Sequence, residues 1–157
     1  VNIFYLSGDA EQAARMMCDK HVVKMIVETA QLLSTAHHVL DGPNAPLGIY
    51  KETHKNHPCA VWVRSSPYAY RWAYAHYAYL LKEYTARYGK FHASERLWDV
   101  LIQVPNNIPL TEWTDPPQCM PDDCKVPGDT VEAYRNYYRV HKASIARWRN
   151  APVPDWF

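Results

Sequence analysis

Cys18-Asp-Lys-His-Val-Val-Lys-Met-Ile-Val-Glu28-Thr-Ala-Gln31 carries two interleaved stripes. His21, Lys24, Glu28, Gln31 and Thr35 recur at spacings of three and four, which aligns them along one side of an α-helix. Val22, Met25, Ile26, Leu32, Leu33 and Ala36 supply the apolar side of the same helix. A period near 3.6 predicts a long amphipathic helix and, with the segments around it, an all-α domain. His21 and Glu28 are two turns apart, roughly 10 Å along the axis. An imidazole, an ammonium and a carboxylate on one stripe suit the lining of an active site. The same stripe also suits a solvated face, with Glu28 paired to Lys24 at i, i+4.

Outward from this helix the chain reads as follows. Residues 2–6 form an extended arm, and Asp9 with Gln12 has the spacing of a capping box. Helix runs from there, with a break near Cys18, to about Leu40, where Asp41-Gly-Pro43 stops it. After a loop to about Pro58, Ala60 opens a second helical region, and Ser66-Pro67 pairs an N-cap with proline at the first helical position. Tyr68 to Tyr88 bears aromatics almost all round, the mark of a central helix, and Gly89 ends it. Ser94 to Ile102 reads as a short helix. Residues 104–128, with Pro105, Pro109, Pro116, Pro117, Pro121 and Pro127, read as a long ordered loop. Thr130 caps a last helix to about Arg149, and the stiff tail Pro154-Asp-Trp-Phe157 docks on the body. The expectation is one compact domain over residues 1–157, with about three long helices, a short arm and a proline-rich loop.

A chain of 157 residues is long enough for one self-sufficient core. No apolar run reaches membrane-spanning length, and Val1-Asn-Ile-Phe-Tyr-Leu6 lacks the basic flank of a secretory signal. The expected setting is soluble and intracellular. A net charge of +1 excludes a uniformly basic coat. One stretch is nevertheless basic: between Val131 and Asn150, Arg135, Arg139, Lys142, Arg147 and Arg149 face a single acid, Glu132. Tyr134, Tyr137, Tyr138 and Trp148 are interleaved with them. That mixture suits phosphate contact with base stacking, or a solvated helix whose aromatics pack inward.

Four cysteines show no regular framework and are expected to be reduced. A zinc site can be drawn from His54, His57, Cys59, Cys119 and Cys124, but no pair has the C-x-x-C spacing of common structural sites. Neither metal nor cofactor is expected. There is no phosphate-cradling glycine loop, no nucleophile elbow and no HExxH pair. Cys18 with His21 is a conceivable nucleophile pair, against which stands Cys18 as a small buried hydrophobe.

The order of these elements resembles the phage endonuclease V type of pyrimidine-dimer DNA glycosylase/AP lyase. The resemblance rests on the short arm, the helix with His21 and Glu28 seven apart, and His57-Pro58 opening the aromatic helix. Further along, Leu81-Lys-Glu-Tyr-Thr-Ala-Arg-Tyr-Gly-Lys-Phe-His92 is similar to that family's glutamate, arginine and glycine helix ending. Ile108-Pro109 precedes the long loop, and Pro154-Asp-Trp-Phe157 matches a proline-rich aromatic end.

The resemblance implies an enzyme of DNA base excision that acts on a damaged or modified pyrimidine through a Schiff base to an amino-terminal amine. The nucleophile falls on Val1, the catalytic carboxylate on Glu28, and a DNA-positioning histidine on His21. An α-amino group, with a pKa of about 7.7–8.0 against about 10.4 for lysine, is partly neutral near pH 7, as a nucleophile must be. The family surrounds its glutamate with arginines; here Val27 and Gln31 stand at those neighbouring positions and Asn2 replaces a basic residue of the arm. Substrate contacts are therefore expected from Asn2, Lys20, Lys24, Gln31, Arg64, Arg71, Arg135 and Arg139. The expected partner is duplex DNA carrying a damaged or modified base, bound by a monomer without a membrane. Two other classes remain open to the residues themselves: a hydrolase or transferase acting on a free or modified nucleotide, and a non-catalytic nucleotide-binding inhibitor.

Overall fold

The computed structural model describes residues 1–157, and its regular structure is entirely helical. The helices are α1 (Ala10–Met16), α2 (Asp19–Asp41), α3 (Pro58–Val63), α4 (Pro67–Tyr88), α5 (Trp98–Leu101) and α6 (Thr130–Tyr137). A 3-10 turn at Ala93–Leu97 leads into α5, and a π-helical turn at Tyr138–Lys142 extends α6. No helix is long and apolar enough to cross a membrane.

The expected starts and stops follow from local chemistry. Asp9 accepts the Gln12 amide at 2.9 Å and starts α1. Ser66 accepts from Ala69 N at 3.0 Å with Pro67 behind it, and Gly89 closes α4 in the left-handed region at φ 69°. Helix α3 begins two residues before Ala60, because the His57 ring accepts the Cys59 amide at 3.0 Å and Pro58 takes the first helical position.

The last helix differs more. Its N-cap is Asp129, which accepts from Glu132 N at 3.0 Å, where Thr130 was the expected cap. It gives way after Lys142, well short of Arg149. Cys18, the N-cap of α2, supplies no side-chain cap, so the chain turns back and Arg147 O accepts the Asp19 amide at 2.8 Å. The Asp19 carboxylate in turn accepts Arg149 N at 3.0 Å. A tertiary cap for α2 thus takes the residues a longer helix would have used.

Helix α4 packs against α1, α2 and α3. Its buried face runs Ala69, Tyr70, Ala73, His76, Tyr77, Leu80, Leu81, Tyr84 and Arg87, a helical period that leaves Tyr68 exposed. The aromatic richness has a specific use. Tyr70, Tyr74 and Tyr77 donate their hydroxyls to the carbonyls of Leu101, Trp98 and Ser94, fastening the 94–101 segment along α4. Buried hydroxyls need partners, and loose helix-end carbonyls need donors; each supplies the other. The tail docks as expected: Arg139 donates to Trp156 O at 2.8 Å, and Trp156 Nε1 lies 3.4 Å from Met16 Sδ.

Candidate active site

The arm lies across the polar stripe of α2. Val1 N stands 2.8 Å from Glu28 Oε1, and Phe4 stacks on His21 with ring centroids 4.1 Å apart. Val1 meets Glu28 and Phe4 meets His21, so the arm runs between the two ends of the stripe. Ile3, Phe4, Tyr5 and Leu6 are all buried, which is what holds the arm down. Asn2 sets its shape: Oδ1 accepts from Ile3 N at 2.7 Å and Phe4 N at 3.2 Å, while Nδ2 donates to Cys119 O at 2.9 Å. Phe4 sits at φ 54°, a strained value for a bulky residue, held in place by His21 on one side and Tyr137 on the other.

A cleft of about 200 Å³ opens here, lined by Val1, Asn2, Phe4, His21, Lys24, Met25, Glu28, Tyr137 and Lys142. Glu28 is nearly enclosed, its side chain 14% exposed. Its Oε1 meets Val1 N, whereas Oε2 is buried without a hydrogen-bond partner and lies 3.7 Å from Lys24 Nζ. A buried acceptor left open in this way costs the fold free energy and is a ready receiver for a donor on a bound molecule.

His21 is neutral at physiological pH. Burial lowers its pKa to about 4, helped by the positive charges of Lys142 and Lys24. Tyr138 Oη accepts the Cys18 amide at 3.2 Å and lies 2.7 Å from His21 Nδ1, against 3.6 Å from the weaker acceptor Cys18 Sγ. The 2.7 Å contact with Tyr138 fixes the ring through Nδ1. Nε2 makes no hydrogen bond within the chain.

The histidines have a measurable consequence. Burial also lowers His76, again to about 4. An unfolded chain protonates both below about pH 6.5, and the native state resists until near pH 4. Stability therefore falls with acid across that window, by up to about 1.4 kcal/mol per pH unit for each histidine. Urea midpoints at pH 7.0, 6.0 and 5.0 should decrease, and His76→Gln should flatten the decrease. A midpoint independent of pH between 6.5 and 5 would contradict the burial argument.

The structure brings together Val1, Asn2, His21, Lys24 and Glu28 of the residues singled out from the sequence. Lys20 and Gln31 share α2 with them but do not line the cleft. Arg64 donates to Lys55 O at 2.7 Å, and Arg71 lies with Tyr68, Leu110 and Glu112 in a separate depression. Arg135 donates to Leu6 O at 3.0 Å, and Arg139 is bound to Trp156 O, Glu132 and Asn136. Both guanidinium groups thus fasten the arm and the tail.

Tyr137 and Lys142 line the cleft as well, outside the substrate contacts expected from the sequence. They are five apart, a spacing that diverges by about 140° on an α-helix. The π-helical turn realigns them, leaving Lys142 Nζ 5.0 Å from the Tyr137 ring centroid. The only signal in the sequence was the basic and aromatic character of the whole Val131–Asn150 stretch.

Chemically, the arrangement sets one nitrogen against one carboxylate inside a cleft lined by two lysines and the rings of Phe4, His21 and Tyr137. A family model of pyrimidine dimer DNA glycosylases matches residues 1–97, and the chain belongs to that family. The matched region holds the arm, α1 to α4 and every residue of the cleft except Tyr137 and Lys142. No curated protein and no solved structure matched the chain.

Proposed function

We propose that the protein removes a damaged or modified pyrimidine from duplex DNA and then cleaves the strand, with the α-amine of Val1 as nucleophile. The observation that carries this reading is the 2.8 Å approach of Val1 N to Glu28 Oε1 in a cleft flanked by two lysines. The family membership supplies DNA as the substrate class.

The neutral amine attacks the sugar C1′; the N–C1′ bond forms as the glycosidic bond breaks, and the base leaves with the electron pair. Glu28 stabilises the positive charge that grows on the sugar and accepts the amine proton. The protonated carboxyl then passes that proton to the ring oxygen as the C1′–O4′ bond opens, which leaves an imine. Loss of a C2′ proton to a base expels the 3′ phosphate, and water releases the amine from the imine. Lys24 and Lys142 hold the flanking phosphates in place of arginines, His21 positions the same backbone, and the rings of Phe4 and Tyr137 provide an apolar wall.

Borohydride added during reaction with DNA bearing a pyrimidine dimer or an abasic site should trap one covalent adduct, and peptide mapping should place it on Val1. Acetylating the terminus, or extending the chain ahead of Val1, should remove the adduct, because an amide nitrogen is no nucleophile. An adduct on Lys24 or Lys142, or turnover that survives a blocked terminus, would overturn the proposal.

A further inference from the structure

His57 and Cys59 flank Pro58 at the start of α3, and Cys119 lies in the proline-rich loop, yet the fold brings the three together. A ring nitrogen of His57 and the two sulfurs lie within 4.8 Å of one another. Cys59 Sγ is 3.6 Å from Cys119 Sγ. Two thiolates on one tetrahedral zinc ion, each at about 2.3 Å, stand about 3.8 Å apart, whereas disulfide sulfurs stand at about 2.05 Å. The pair is spaced as ligands of one ion. None of the three residues has a part in the amine–carboxylate chemistry.

We propose that His57, Cys59 and Cys119 form a binding site for a thiophilic divalent cation, zinc before any other. Two sulfurs and an imidazole select zinc over magnesium or calcium, which take oxygen ligands. Binding exchanges two thiol protons for the ion, so two protons are released and the centre, with two thiolates and a neutral imidazole, carries no net charge. Three protein ligands leave a fourth position for water. Ligation through Nδ1 exchanges the hydrogen bond from Cys59 N for a far stronger zinc–imidazole bond, and ligation through Nε2 keeps it.

The neighbouring bonds hold the ligands in place and give the site a structural consequence. Cys119 N donates to Tyr134 Oη at 3.4 Å, and Cys119 O accepts from Asn2 Nδ2 at 2.9 Å. An ion here ties the first turn of α3 to the loop segment on which the arm rests. A second group, Asp123, Cys124 and His141, has a single sulfur, and its carboxylate and imidazole are already paired at 3.1 Å. It serves as the internal control.

The test uses the full chain, reduced and stripped of metal, titrated with Zn²⁺ and separately with Co²⁺. We expect one tightly held zinc per chain and, with cobalt, a thiolate-to-metal charge-transfer band with tetrahedral visible bands. Cys59→Ser and Cys119→Ser, checked for fold by circular dichroism, should weaken zinc binding by at least about tenfold and remove the charge-transfer band. Cys124→Ser should keep both. In the unmutated protein, zinc should also slow alkylation of the half-buried Cys119, a measurement independent of how the variants fold. Absence of the cobalt–thiolate band, binding that follows Cys124, or alkylation of Cys119 unchanged by zinc would overturn the proposal.

Discussion

Glu28→Gln is expected to slow single-turnover base release by roughly a thousandfold while leaving DNA binding within a few fold. The substitution keeps the length and shape of the side chain, and its amide oxygen can still accept from Val1 N. What disappears is the negative charge and the ability to take a proton. In the proposed sequence that charge acts twice, on the cationic sugar and on the amine proton, so its loss is felt in the chemical step. The buried, unpartnered Oε2 makes the site more sensitive still, since an amide NH₂ in that position would be a buried donor lacking an acceptor. Glu28→Asp tests position separately from charge. Shortening by one methylene withdraws the carboxylate from its 2.8 Å contact with Val1 N, and misplacement by about 1 Å can cost a hundredfold. Rapid-quench measurement of base release against a filter-binding isotherm distinguishes the two effects. Unchanged single-turnover rates in Glu28→Gln would remove the carboxylate from the mechanism.

The second large effect concerns stability. Arg87→Met should cost about 3–5 kcal/mol, with the melting temperature lowered by on the order of 10 °C. The Arg87 side chain has no solvent exposure, and its guanidinium serves four partners. Nη1 donates to Met17 O at 2.8 Å and Asp19 Oδ1 at 3.1 Å, Nη2 to Arg15 O at 3.0 Å, and Nε to Glu83 Oε1 at 3.0 Å. Two of those acceptors are carbonyls at the end of α1, which have no intrahelical donor. The other two are carboxylates that are themselves largely enclosed. Methionine fills the volume but leaves the two carbonyls and Glu83 Oε1 unpaired, and Asp19 keeps only its bond from Arg149 N. Arg87→Lys should recover only part of the loss, because a single ammonium cannot reproduce the planar fork. Denaturant unfolding of both variants provides the check; a change below about 1 kcal/mol would show that water replaces the guanidinium.

Arg87 also shows how far local pattern can be read. Glu83, Arg87 and Gly89 are legible as a helix ending through the family resemblance, and the structure pairs Glu83 with Arg87 one turn apart. Their deeper purpose, bridging the α1–α2 break next to Cys18, was not readable. Those contacts lie about seventy residues back along the chain. The candidate site divides in the same manner. His21, Lys24 and Glu28 were legible because they share one helix, and Val1 was legible through the family resemblance. Asn2 stands where the family has a basic residue, and its bond to Cys119 O shows what the asparagine does there.

The amino-acid order alone settles the long helices, most of their caps and the polar stripe of α2. Those features arise from contacts within about four residues, and a period of 3.6 writes them directly into the chain. Three decisive features lie beyond that range. The π-helical turn at Tyr138–Lys142 shifts the phase that puts Tyr137 and Lys142 in the cleft. The return of residues 147–149 to cap α2 shortens the last helix. The meeting of Cys59 with Cys119 assembles a cluster that no spacing announced. Each depends on which distant surfaces gain most by packing together. That free energy is summed over the whole core and is not written in any short stretch of the chain.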